Sequence, residues 1–193
     1  MAMRNSTTSW GWLSRWLHWA MAFLILGMLI FGLYLTTAFN DGDPSKLGLV
    51  QTHKSFGFLV FALACLRIIW RAVNPTPALP ATMPALLKLG AKAGHWAIYL
   101  LMFAMPVSGW LGASASPYND VDSYPMQIKN MVFGLFELPD PYPVGSYDVS
   151  DMFMAVHKWA AIALALILAG HVAAAIKHAV VDRDGVMSRM WTG

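Results

Sequence analysis

Four apolar runs decide what this chain can become. They extend from about Trp16 to Ala38, Leu49 to Ala72, Ala93 to Ala115 and Met152 to Ile176, and none contains an Asp or Glu. Each reaches the roughly 20 residues a helix needs to cross the hydrocarbon core of a bilayer. Lipid offers no hydrogen bonds, so a backbone at that depth must satisfy itself, and a helix does so within one segment. A soluble domain would have to bury all four runs. Composition speaks against that, with 58% hydrophobic and 12% charged residues, against roughly 45–50% and about 25% in soluble chains. The sequence therefore predicts an all-α membrane protein, a four-transmembrane-helix bundle forming one domain over residues 1–193.

The connections agree. Asn40 to Asp43, followed by Pro44, close the first run. The second and third are separated by NPTPALPATMP (74–84), which cannot be helical throughout because each proline removes an amide donor and disfavours a helical residue before it. A long connection, 116–151, rich in Pro, Tyr and Asp, joins the third run to the fourth. Its MQIKNMVFGLFELP portion (126–139) is expected to form a short helix lying at the membrane interface. The first run is too long for a signal-peptide core and three more spans follow it, so it is expected to be retained.

Charge sets the orientation. Arg4, Arg15, Arg67, Arg71, Lys88, Lys92, Lys177, Arg183 and Arg189 fall on one side of the spans, and Lys46, Lys54, Lys129 and Lys158 on the other. The side richer in Lys and Arg faces the cytoplasm, which puts both termini of this multi-pass protein there. Net charge is only +3 and the bases are scattered, so no dense basic face exists for nucleic acid. A lone Cys65 excludes an intrachain disulfide, and no CxxCH is present for covalent haem attachment.

The six His carry the chemistry. His157 and His171 share the fourth span. Fourteen residues at about 1.5 Å rise separate them by roughly 21 Å, and fourteen steps of 100° return to within about 40° of the start. One helix thus presents two imidazoles on one face at two depths. His53 matches His157 on the outer side; His18 and His95 both lie at the depth of His171 on the inner side. Two sites with paired imidazoles between facing helices suit two bis-histidine haems. Zinc would want Cys or carboxylates clustered with the imidazoles, and the spans hold no acids.

The order and spacing of several segments also resemble a known family. RWLHW in the first span, THKSFG opening the second and LRIIWRAVNPTP closing it, GHWAIYLLMFAMPVSG in the third, and VHKWAAIALALILAGHVAAAIKHAVVDRDGVMSRM at the end together resemble the bacterial cytochrome b561 family. That family is similar in turn to the dihaem cytochrome b subunits of formate dehydrogenases and nickel–iron hydrogenases. The resemblance covers nearly the whole chain. It implies two non-covalent b haems, the outer on His53 and His157 and the inner on His18 and His171, and electron exchange with ubiquinone or another quinone. Some family members resemble superoxide oxidases.

Other residues have two roles open to them. Lys54 and Lys158 follow the outer histidines directly and either neutralise haem propionates or snorkel to the interface. Arg67 and Arg71 serve as cytoplasmic anchors, and guanidinium also pairs with carboxylates bidentately. His95 and His178 either supply a proton to a quinone near neutral pH or sit as interfacial residues. Gly27, Gly32, Gly57, Gly94, Gly109, Gly112 and Gly170 either admit a flat macrocycle or serve helix packing.

The function expected is a membrane dihaem cytochrome passing electrons between a periplasmic-side donor and the quinone pool. A superoxide oxidase is the alternative, and a non-redox anchor or transporter the alternative from another class. Residues 116–151 hold Asp120, Asp122, Glu137, Asp140, Asp148 and Asp151 against Lys129 alone, a surface that favours a cationic redox protein over superoxide at long range.

Overall fold

The computed structural model describes residues 2–40, 43, 45–117, 129–142 and 144–192. Four long helices dominate: α1 (Trp12–Thr37), α2 (Lys46–Ala72), α3 (Ala85–Ser114) and α4 (Tyr147–Lys177). All four are long and apolar enough to cross a membrane. Their outward side chains are those lipid wants, with Phe23, Ile30, Leu100 and Leu166 each about 70% exposed.

Two expectations need correcting. The third helix starts at Ala85 rather than near Ala93, because the chain becomes helical as soon as Pro84 is past; the Lys88 amide already donates to the Pro84 carbonyl at 3.1 Å. The segment expected as an interfacial helix is instead, over its described residues 129–139, a two-stranded hairpin, β1 (Met131–Val132) against β2 (Phe136–Glu137). Its turn explains why. Phe133 and Gly134 sit at φ 49° and 70°, and the Leu135 amide closes on the Val132 carbonyl at 2.9 Å. Two successive positive φ angles favour a strand reversal and stop a right-handed helix. Met126 to Ile128 lie outside the described residues.

Packing divides the chain into two units. A termini-bearing unit comprises Met1–Phe23, Leu63–Leu101 and Ala163–Gly193; a hairpin-bearing unit comprises Leu24–Ala62 and Met102–Ile162. The first packs around Leu17, Met21, Ala64 and Leu164, all nearly inaccessible. After α4 its chain passes through a π-helical turn (His178–Asp182) into the short α5 (Val186–Trp191). The α5 carbonyls are used: Arg15 donates to Trp191 O at 3.2 Å and Trp19 Nε1 to Met190 O at 3.1 Å.

The hairpin-bearing unit packs around Ile25, Leu35, Val60, Met102 and Ala115. The hairpin docks on the start of α2. Ser55 Oγ accepts from the Phe133 amide at 2.9 Å, and Gln51 Nε2 and Lys54 Nζ donate to Lys129 O at 2.7 and 3.0 Å. Asn130, wholly buried, donates to Ser114 Oγ at 2.9 Å and to Asp140.

Candidate haem sites

In the hairpin-bearing unit, α2 and α4 bring His53 and His157 together with ring centroids 6.4 Å apart and planes 78° to one another. His157 is fixed from behind. Pro106 lies inside α3 and cannot donate to the helical ladder. The carbonyl just before it, Met105 O, accepts from His157 Nδ1 at 2.9 Å and from Ser108 Oγ at 3.0 Å. A carbonyl only accepts, so His157 carries its proton on Nδ1 and presents Nε2 with a lone pair, the tautomer a metal ligand uses. Clearance comes from glycine. A Cβ at Gly109 would lie 3.0 Å from His157 Cε1, and one at Gly32 would lie 3.4 Å from His53 Cε1. Phe31 meets the His53 ring edge-on at 5.5 Å. His53 Nδ1 is buried with no hydrogen-bond partner among the described residues. Such an orphan is costly, roughly 1–3 kcal/mol.

In the termini-bearing unit, His171 of α4 has two neighbours. His18 of α1 lies at 6.1 Å between centroids and His95 of α3 at 5.4 Å. Arg67 reaches in from α2, donating from NH2 to His18 Nδ1 at 3.0 Å, from Nε to Tyr99 Oη at 3.3 Å and from NH1 to Leu17 O at 3.4 Å. Arg71 stands over the rings of Trp96 and Tyr99 at 5.6 and 5.4 Å. Trp19 meets His18 edge-on at 5.2 Å.

Both pairs can be tested against an iron held between two imidazoles. A metal at about 2 Å from each ring nitrogen puts the two ring centroids roughly 6 Å apart. The 6.4 and 6.1 Å pairs meet that spacing; the 5.4 Å of His95 and His171 falls short of it. At His53 and His157 the glycine clearance and the orphaned His53 nitrogen join the spacing, and the donor set fits a bis-histidine haem; at His18 and His171 the spacing fits one, with Arg67 on His18 Nδ1.

The structure keeps Lys54 on the Lys129 carbonyl and leaves Lys158 exposed on α4. Of the glycines expected to admit a macrocycle, Gly27, Gly94 and Gly170 face open space, while Gly112 packs against Met154. His178 lies apart in an ion-paired cluster with Asp182 and Asp184. Sequence reasoning missed Ser108 and the Met105 carbonyl; the nearest signal was the MPVSG segment, where a proline stands inside a span.

Residues 9–193 match the prokaryotic cytochrome b561 family. The chain belongs to that family. This cytochrome b561 is 33% identical over 192 residues to cytochrome b561 homolog 2 of Escherichia coli K12, covering 98% of this chain and 95% of the relative. It is 31% identical over 139 residues to the probable superoxide oxidase CybB of Yersinia pestis, covering 72% of each. Cytochrome b561 homolog 1 of Escherichia coli K12 is 25% identical over 176 residues. As a prokaryotic cytochrome b561 it is a multi-pass membrane haem protein of electron transport, and the family implies haem b.

Proposed function

We propose that this cytochrome b561 binds two b haems, one between His53 and His157 and one between His18 and His171, and moves electrons between a donor on the periplasmic side and the quinone pool. The haems, when bound, supply two one-electron carriers. The observation that carries the reading is that α4 alone offers one imidazole to each pair, at 6.4 and 6.1 Å from its partner ring.

The chain's own groups do the rest. Met105 O orients His157, and Gly109 and Gly32 keep the ring edges clear. Arg67, on His18, and Arg71, beside Tyr99, suit the propionates of the His18 pair; Lys54 and Lys158 suit those of the other. His95, against His171 but too close to share an iron with it, is the group to pass a proton to a reduced quinone. Both termini face the cytoplasm, as the Lys and Arg distribution asks.

The test is haem b per chain in detergent-purified protein. Two haems are expected in the wild type and one in each of His53→Ala and His18→Ala. A colourless protein from haem-replete cells leaves only an anchor or transporter.

The relative named as a probable superoxide oxidase favours a second reading, direct oxidation of superoxide. The acidic 116–151 connection opposes superoxide at long range, so on the first reading any reduction by superoxide speeds up as salt screens the repulsion. A rate that falls with salt supports the second reading instead.

A further inference from the structure

No carboxylate stands among the imidazoles of the spans, but just past α4 the chemistry changes. Asp182 and Asp184 both close on His178. His178 Nδ1 lies 2.7 Å from Asp184 Oδ2 and 3.4 Å from Asp182 Oδ2. One ligand atom from each residue lies within 4.8 Å of the other two.

The backbone builds this convergence. The helix widens into a π turn over His178–Asp182, Arg183 then adopts the left-handed conformation at φ 49°, and Gly185 repeats it at φ 78°. The reversal carries Asp184 back to His178. Asp184 is braced from its other oxygen, Oδ1, which accepts the Val186 amide at 3.1 Å. The side chains of His178, Asp182 and Asp184 are 19, 29 and 17% exposed, so water has only partial access. Partial desolvation pushes the Asp184 carboxyl up, but the Val186 amide and His178 more than offset it and hold it below its ordinary value.

We propose that His178, Asp182 and Asp184 bind one first-row divalent cation of the zinc class. One imidazole nitrogen with two carboxylate oxygens is a donor set zinc accepts, with water completing a tetrahedron. Ligand atoms around a common ion at about 2 Å stand roughly 3 Å apart, and the 2.7 and 3.4 Å contacts already bracket that spacing. The ion replaces the proton on His178 Nδ1, which leaves to solvent as the metal enters. Lys177 is the competitor. Its Nζ donates to both oxygens of Asp182, 2.7 Å from Oδ1 and 2.5 Å from Oδ2, so the metal has to displace it; the side chain is long and 55% exposed and can swing away. Occupancy stiffens the turn from which α5 hangs, and α5 in turn holds Arg15 and Trp19.

The test uses the full chain, purified with its haems, stripped with a chelator and dialysed against zinc ions alone. One saturable zinc per chain is expected. Removing even an outer-shell partner weakens a metal site roughly 10–100-fold, so His178→Ala and Asp184→Asn are each expected to weaken binding by at least about that. Asparagine keeps an oxygen for the Val186 amide, so the turn survives the change. Lys177→Met is expected to tighten binding several-fold, which a merely structural cluster would not do. X-ray absorption at the zinc edge on the unmutated protein covers the case in which a variant fails to fold: it should show nitrogen and oxygen ligands with a single imidazole. Unchanged uptake in His178→Ala and Asp184→Asn, no tightening in Lys177→Met, no saturable zinc, or two imidazoles on the zinc would each overturn the proposal. None of these readouts depends on how the haems are ligated.

Discussion

His157 gives its Nδ1 proton to the Met105 carbonyl, whereas His18 receives a hydrogen bond from Arg67 at its own Nδ1. Guanidinium has no lone pair to accept with. His18 in this arrangement therefore holds its proton on Nε2, the nitrogen that a ligating ring usually offers. The hairpin-bearing unit thus presents His157 in its ligating tautomer, while the termini-bearing unit must exchange a partner first. For His18 to ligate a haem as proposed, Arg67 would have to leave it for another acceptor, and a propionate is the carboxylate it suits. The same fold carries one imidazole oriented by a backbone carbonyl and one oriented by a guanidinium.

The sharpest way to break this comparison is to ask which ring partners His171. His95→Ala is expected to retain both haems while His171→Ala and His157→Ala each lose one, read as haem b per chain. Loss of a haem from His95→Ala with none from His18→Ala would reverse the assignment, despite the 6.1 Å spacing of His18.

Next in size is the clearance around His157. Gly109→Ala puts a methyl 3.0 Å from the ring, an overpacking that costs about 1–3 kcal/mol and so weakens haem retention roughly 5- to 150-fold. Gly90→Ala, also within a helix and with an added methyl that meets nothing within 4 Å, is the control and should retain haem as the wild type does. Equal loss in both would mean that glycine serves helix packing alone.

Arg67→Met probes the other unit. A positive charge beside a haem favours the reduced iron, so its removal should lower the midpoint potential of the His18 haem alone, by about 60 mV, the one-electron equivalent of a tenfold change. A titration that moves both haems equally would erase the distinction drawn between the two sites.

How much of this was legible follows from what each feature depends on. The helices were readable because crossing lipid demands length and apolarity, which composition displays directly. That His157 and His171 share a face was readable from the helical repeat, and that His53 comes near His157 was readable from the order of the spans. The hairpin was not, since it turns on Phe133 at positive φ, a conformation its side chain does not announce. Nor was the return of Asp184 to His178, which needs Arg183 in the same region. The role of Met105 was hidden for a different reason: its backbone carbonyl does the work, and no side-chain pattern marks that.

Ser108 closes the comparison with the smallest effect. Its hydroxyl donates to Met105 O at 3.0 Å and lies 3.3 Å from His157 Nδ1, so it competes with the imidazole for that carbonyl while giving the ring a second acceptor. Ser108→Ala removes both contacts and leaves His157 on Met105 O without the competing hydroxyl. A neutral hydrogen bond contributes about 0.5–1.5 kcal/mol net, and here a loss and a gain oppose one another. The expected result is full haem content and a change in haem retention under about threefold, within about 0.7 kcal/mol. A tenfold loss would mean that the hydroxyl, rather than the carbonyl, holds the ring, and the contrast with His18 would then rest on a side chain in both units.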